Sequence, residues 1–307
     1  MTHTLTYHIH DVAPYINWIY FFHAWGFPPR FATAAHIHGC DACRASWLAG
    51  FPETERMRAA EAMQLQKDAQ RMLAHLDEDF RTYALFGLYP AFAEEADNLV
   101  LSDPGHVERR ALRLPMLRQQ HATTAPDLCL TDFVRPAAQG IPDTVGVFAT
   151  TVPPEMAHLY EHGAYADPFK HLLAQTLADR LAEATAERMH EEVRRKYWGY
   201  APEEQLSVEE LLTEKFTGIR PAVGYPSLPD QSINFLLSDW LGFERIGIHL
   251  TENGAMKPHA SVSGLMLAHP AARYFTVGKI GNDQLEDYAR RRGLPVETMR
   301  KFLAANL

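Results

Sequence analysis

From residue 53 to 79 the apolar side chains recur on a helical period, with Ala62, Leu65, Ala69, Met72, Leu73 and Leu76 on one face. The pattern predicts a long helix, capped at Thr54 and packed across a sheet. A second long helix is predicted over 168–197. Leu173, Leu177, Leu181 and Ala184 form its stripe, while Glu183, Glu187, Glu191 and Arg194 lie on other faces, where the ordinary reading is a solvated charged surface. Residues 260–267 alternate with a period of two, the mark of a half-buried strand, and strand-like composition also marks 83–89, 98–101, 128–134, 144–152, 245–250 and 273–280. Residues 12–25 are apolar and aromatic and predict a docking helix, ended by Gly26-Phe27-Pro28-Pro29, before an insertion over about 30–52. Ser207-Val208-Glu209-Glu210 reads as a capping box for a short helix, 232–241 as a further helix, and Gly293 and Pro295 as stop signals after a helix over 283–292. A last short helix starts at Val296. The class that follows is α+β with a mostly antiparallel sheet.

Composition narrows the function without naming it. The 307 residues are 47% hydrophobic and 22% charged, enough to bury the core of one large domain, residues 1–307, with no internal repeat or linker. A formal charge of -9 argues against a nucleic-acid surface, which calls for a clustered positive excess. The sequence shows no signal-peptide pattern and no apolar run near the length that spans a bilayer, and its three cysteines are too few for a disulfide framework. The expectation is a cytoplasmic protein with no membrane partner.

The segment with the clearest chemistry is Arg220-Pro221-Ala222-Val223-Gly224-Tyr225-Pro226. Its two prolines remove backbone donors and disfavour helix, and Gly224 permits positive φ, so an irregular loop is expected. Arg220 presents a rigid fork of donors suited to a carboxylate or a phosphate. Two readings stay open on these residues alone: a ligand loop, or a connector whose arginine pairs with an acidic neighbour.

The company this loop keeps extends the reading. The stretch from Leu177 to His190, then Tyr197-Trp198-Gly199-Tyr200-Ala201-Pro202, Gly218-Ile219 before the loop, Leu250-Thr251-Glu252, Ala260 to Gly264, His269-Pro270, Arg273-Tyr274-Phe275 and Asp283 to Arg290 follow in order. With Tyr15-Ile16-Asn17-Trp18, Leu128 to Val134 and the closing Phe302 to Leu307, this chain resembles the S-adenosylmethionine-binding activation domain of cobalamin-dependent methionine synthase over nearly its whole length. The resemblance implies a single C-shaped domain with a bent, mostly antiparallel sheet flanked by helices. It also implies a repair activity: S-adenosylmethionine and one electron from a flavodoxin-like donor restore methylcobalamin from inactive cob(II)alamin carried by a cobalamin-binding methionine synthase subunit.

By motif position the resemblance assigns the methionyl carboxylate to Arg220, and ligand contacts to Glu183, Ala222, Gly224, Tyr225, Tyr274 and Phe275. Three positions depart from the family pattern. Asn17 stands where enzyme-fused members carry an aspartate facing the ligand ammonium, Phe275 replaces a tyrosine, and Gln231 stands where a histidine is common. The chain lacks the homocysteine, folate and cobalamin-ligating signatures, so the implied role is a free-standing reactivator acting in trans, supplying the reductive methylation half-reaction and not methionine formation alone. The alternative is a docking or sensing protein for a corrinoid protein with weakened S-adenosylmethionine binding. An ordinary methyltransferase is disfavoured, because no Gly-rich loop follows a first strand.

His36, His38, Cys40 and Cys43 fall within eight residues and are chemically adequate zinc ligands. Such close packing argues instead for a structural or partner-contact loop, with zinc and a redox dithiol as the alternatives. At Asn17 the resemblance yields a quantitative expectation: Asn17→Asp binds S-adenosylmethionine more tightly, by about 1 kcal/mol, because a charged acceptor outweighs an amide oxygen. Calorimetric titration of both proteins checks it, and equal or tighter binding by the natural chain refutes it.

Overall fold

The computed structural model describes residues 2–37, 40–95, 97–105, 111–122, 126–164 and 166–307. In chain order its elements begin with β1 (Thr2–His8), α1 (Ile9–Val12), α2 (Trp18–Ala24), α3 (Asp41–Ala49) and α4 (Glu53–Asp79). Next come β2 (Arg81–Glu94), β3 (Asn98–Ser102), β4 (Ala111–Pro115), β5 (Asp143–Thr151), α5 (Pro154–Ala157), α6 (Pro168–Glu192) and α7 (Val208–Leu212). The chain closes with α8 (Ile233–Leu241), β6 (His249–Leu250), β7 (Met256–Lys257), β8 (Ser261–Met266), α9 (Asn282–Arg292) and α10 (Val296–Phe302). The α+β expectation holds, and every pairing between these strands is antiparallel. No helix among the described residues is long and apolar enough to cross a membrane.

The sheet is organised around β2, whose fourteen residues reach three neighbours. One edge pairs with β5 over residues 83–91, and the other is shared by β1 and β3 at its two ends. The order is β4-β3-β2-β5-β8, which leaves β8 with one partner among the strands. Because the side-chain period is two, β2 and β5 feed two cores. Ala84, Phe86 and Phe148 face α4 and α6, whereas Leu85, Tyr89, Val145 and Val147 face α8 and the turn at Phe243–Ile246. A third cluster seats α9 and α10 on Leu117, Val277 and Ile280.

The two long helices form where their periodicity places them, and the α4 stripe is buried as expected. Thr54 does not cap α4, which instead starts after Pro52. The expected docking helix is divided: Pro14 opens a 3-10 turn at Ala13–Tyr15, and α2 restarts behind Asn17, whose side chain accepts from the Ile19 amide. The expected strand over 128–134 is a 3-10 turn, Leu130–Phe133. There the Asp132 carboxylate takes the Cys129 N–H at 2.8 Å and binds Arg118, so local capping outweighs β composition. The segment 273–280 is extended yet joins no ladder, because Val277 donates to Pro226, Ile280 to Asn306, and Phe275 to the Ser227 hydroxyl. Of 245–250, only His249–Leu250 is strand.

The charged side of α6 is less solvated than its composition suggested. Glu191 and Arg194 are buried, the latter paired with Glu204 and lying 4.3 Å from the Phe216 ring centroid. Beside them His190 is enclosed, edge-on to Phe216, with no partner for either ring nitrogen. Burial, with Arg194 and Arg220 adding to it, holds His190 well below the usual histidine range. The imidazole is neutral in the fold and gains a proton only on unfolding, so its contribution to stability is present above about pH 6.5 and is lost as pH falls. His190→Leu is therefore expected to lose less stability between pH 7 and pH 5 than the natural chain, measured by urea denaturation at both values; equal losses would refute the assignment.

Candidate functional site

The free edge of β8 is covered by the Arg220 loop. Ile219 and Leu267 exchange backbone hydrogen bonds, Leu265 donates to Pro221, and Val223 donates to Ser263. The two prolines keep this from becoming a regular strand, yet the loop behaves as an irregular extension of the sheet. The approach requires Gly264: a Cβ there would stand 2.2 Å from the Pro221 carbonyl oxygen and 2.9 Å from Ala222 Cα. Beyond it the chain turns back, with Gly224 at φ +86° and its N–H donating to the Leu228 carbonyl.

Docked this way, the loop faces the side of α6 that carries Glu183 and Glu187, one helical turn apart. The Arg220 side chain is 11% exposed. Nη1 donates to the Ala186 carbonyl at 3.0 Å and to Glu187 Oε2 at 3.2 Å, Nη2 donates to Glu187 Oε1, and the guanidinium lies 5.9 Å from the Phe148 ring centroid. The acidic partner of the connector reading is thus present, on α6. Glu187 was the partner sequence reasoning missed, although its spacing of four from Glu183 placed both on one face.

Glu183 accepts from the Tyr225 hydroxyl at 3.2 Å and from Arg180 at 2.7 Å. Burial and then the Glu183 carboxylate push the Tyr225 phenol up to about 12. These residues, with Val223, Met256, His259 and Ser263, line a pocket of about 180 Å³. That is smaller than the sites that enclose a drug-sized ligand. Tyr274 acts on the loop from behind: its hydroxyl accepts from the Arg220 backbone N–H at 2.9 Å. Phe275 is bonded through its backbone to Ser227 and packs against two apolar clusters. Ala222 meets Gly264 across the edge.

The predicted residues therefore fall into two groups. Glu183, Arg220, Ala222, Gly224 and Tyr225 converge, with Tyr274 supporting them. Asn17 lines a different and larger cleft, of about 1040 Å³, with Ile9, His10, Trp18, His36 and Asp77. The two regions are connected by α2, since Tyr20 lies near enough to Tyr225 to perturb its phenol. Gln231 is exposed, while Asp230 before it is buried and takes hydrogen bonds from Tyr288 at 2.8 Å and Arg292 at 3.3 Å.

In the insertion, Cys40 caps α3 and accepts from the Cys43 amide, the two sulfurs 2.7 Å apart. The bond from Cys43, with backbone amides, lowers the Cys40 thiol. Among the described residues His36 does not join them in a cluster of metal-ligand atoms, and His38 lies outside those residues.

A family model described as vitamin B12 dependent methionine synthase, activation domain, matches residues 8–293. Among solved structures, a crystal structure of the MetH reactivation domain bound to AdoHcy is similar with a TM-score of 0.85 and 36% sequence identity, over 100% of this chain and 90% of that one.

The close approach at Gly264 offers a direct test of how the site is held. Gly264→Ala is expected to cost about 1–3 kcal/mol in urea denaturation, as the Cβ forces the Pro221 carbonyl off the edge. An unchanged midpoint would show that the loop is not pinned there.

Proposed function

The chain belongs to the vitamin B12-dependent methionine synthase activation domain family, and on that premise we propose that it binds S-adenosylmethionine between α6 and the Arg220 loop and supports reductive methylation of oxidised cobalamin on a separate methionine synthase chain. The observation that carries this reading is the meeting of Glu183 and the Tyr225 hydroxyl in one shallow pocket at the sheet edge, with the Arg220 fork held against Glu187 one helical turn along α6. The ligand bound in the similar solved structure, AdoHcy, is what S-adenosylmethionine becomes after giving up its methyl group.

Each chemical group of the ligand has a suitable counterpart. The methionyl carboxylate competes with Glu187 for the Arg220 fork, whose orientation is kept by the Ala186 carbonyl. Displaced from Arg220, Glu187 joins Glu183 as an acceptor for the ligand ammonium. The Tyr225 ring, 52% exposed, gives the sulfonium and adenine an aromatic surface. Ile19 and Tyr20, 48% and 58% exposed, extend that apolar surface on α2 and suit the flat face of a corrin ring. Cobalamin, carried by the partner and reduced by a flavodoxin-like donor, supplies the cobalt that accepts the methyl group. This chain's residues hold the ligand, orient its sulfonium and shield it from water.

A second reading has one observation in its favour. Glu187 already satisfies the fork, so ligand binding must first break a well-formed and largely buried ion pair. A docking protein that no longer uses S-adenosylmethionine would keep the same pair.

Calorimetric titration separates the two. The natural chain is expected to bind S-adenosylmethionine and AdoHcy saturably at one site, and Arg220→Ala is expected to weaken both by at least about tenfold. No binding at millimolar ligand would favour the docking reading.

A further inference from the structure

Away from the Arg220 loop, three metal-ligand side chains meet at the junction of β1, α1 and the last turn of α4. We propose that His8, His10 and Asp77 form a three-ligand site for a divalent transition-metal ion of the zinc type, with water completing its shell. Their ligand atoms all lie within 4.8 Å of one another, the one such group among the described residues. Nδ1 of His10 is 2.6 Å from Asp77 Oδ2, and Nδ1 of His8 is 3.7 Å from Asp77 Oδ1. The first of these is a hydrogen bond that zinc would replace, and the second is close to the spacing of about 3.3 Å expected between ligands placed tetrahedrally around zinc at about 2.0–2.1 Å.

The fold prepares the cluster before any ion arrives. Asp77 Oδ1 accepts from the backbone amides of Ile9 at 2.6 Å and His10 at 3.2 Å, which turns the carboxylate toward both rings. The β1–β2 register sets His8 opposite Arg81, a cation four residues from Asp77 in sequence. Arg81 instead donates to the carbonyls of Asp77 at 2.9 Å and Phe80 at 2.6 Å, closing the end of α4 and leaving the carboxylate to the histidines. The far nitrogen of His10, Nε2, is 3.5 Å from Asp11 Oδ1, a second carboxylate that adds negative charge beside the site. Two imidazoles and one carboxylate are a borderline donor set, suited to zinc or cobalt rather than to calcium or magnesium. The histidines are exposed, so water has access to the remaining position, and the site opens onto the large cleft that His10 and Asp77 share with Asn17.

The test uses the whole chain carrying Cys40→Ser and Cys43→Ser, which removes competing thiols. Titrated with zinc chloride, it is expected to bind one equivalent. His8→Ala with His10→Ala in that background is expected to lower the affinity at least about 100-fold. Asp77→Asn, which keeps an oxygen for the two amides, is expected to lower it about tenfold. Cobalt chloride is expected to give a visible tetrahedral spectrum from nitrogen and oxygen ligands that the double histidine variant lacks. Both histidines are on the surface, so that variant is expected to keep its melting temperature without metal, which separates loss of the site from loss of the fold. Absence of saturable binding, equal affinity in the variant, or zinc retained only when the two cysteines are present would overturn the proposal.

Discussion

The geometry of the candidate site depends on how closely residues 219–223 can lie against the free edge of β8. A glycine at 264 allows the Pro221 carbonyl and Ala222 into the space a side chain would fill. Backbone bonds from Ile219 to Val223 then set the loop's register on the sheet. Once that register is set, Arg220 has one direction to point, across the sheet edge to the Glu187 face of α6. Tyr274 reinforces it by accepting from the Arg220 N–H, so even the backbone of the arginine is held. A guanidinium on an unpinned loop would spend its fork on water, and the precision a ligand carboxylate requires would be missing.

That precision brings an electrostatic constraint. Arg220 and Glu187 are largely removed from water, as are Arg194, just beyond the end of α6, and Glu204, and His190 nearby is kept neutral. Pairs of this kind add little net stability, because desolvation offsets most of their attraction, but an unpaired member is costly. Glu187 therefore keeps the buried Arg220 fork paired. Of the two alternatives in the sequence, the acidic neighbour is the one seen at the Arg220 fork.

The N-terminal third follows a different logic. Pro14 and Asn17 break what composition presents as a single apolar helix, and the resulting pieces line a cleft with α4 and the insertion. Asn17 has a local task there as the cap of α2, which an aspartate performs equally well. The His8, His10 and Asp77 cluster shares this cleft and none of the residues of the Arg220 site. α2 links the two regions, with Tyr20 at its exposed side near Tyr225 and Asn17 at its start.

The sequence by itself determined the elements whose signals are local and redundant. The period of α4 and α6, the capping box of α7 and the glycine stop of α9 each rest on several residues that agree, whereas β8, expected to be half-buried, is buried on both faces from Ser263 to Met266. It also determined the family, because Arg220, Tyr225 and their neighbours recur in order over nearly the whole chain. What only the tertiary structure decided is where backbone and charge find their partners. Residues 128–134 and 273–280 have strand composition, but their amides are taken by Asp132, Ser227 and distant carbonyls. Glu187 looked like one more solvated carboxylate until the β8 edge placed Arg220 against it. Asp77 gave no sign of its histidines, 67 and 69 residues earlier in the sequence. Helix periodicity is a property of near neighbours along the chain, whereas a hydrogen-bond or ion-pair partner is chosen by proximity in space, and that proximity exists only after the sheet has closed.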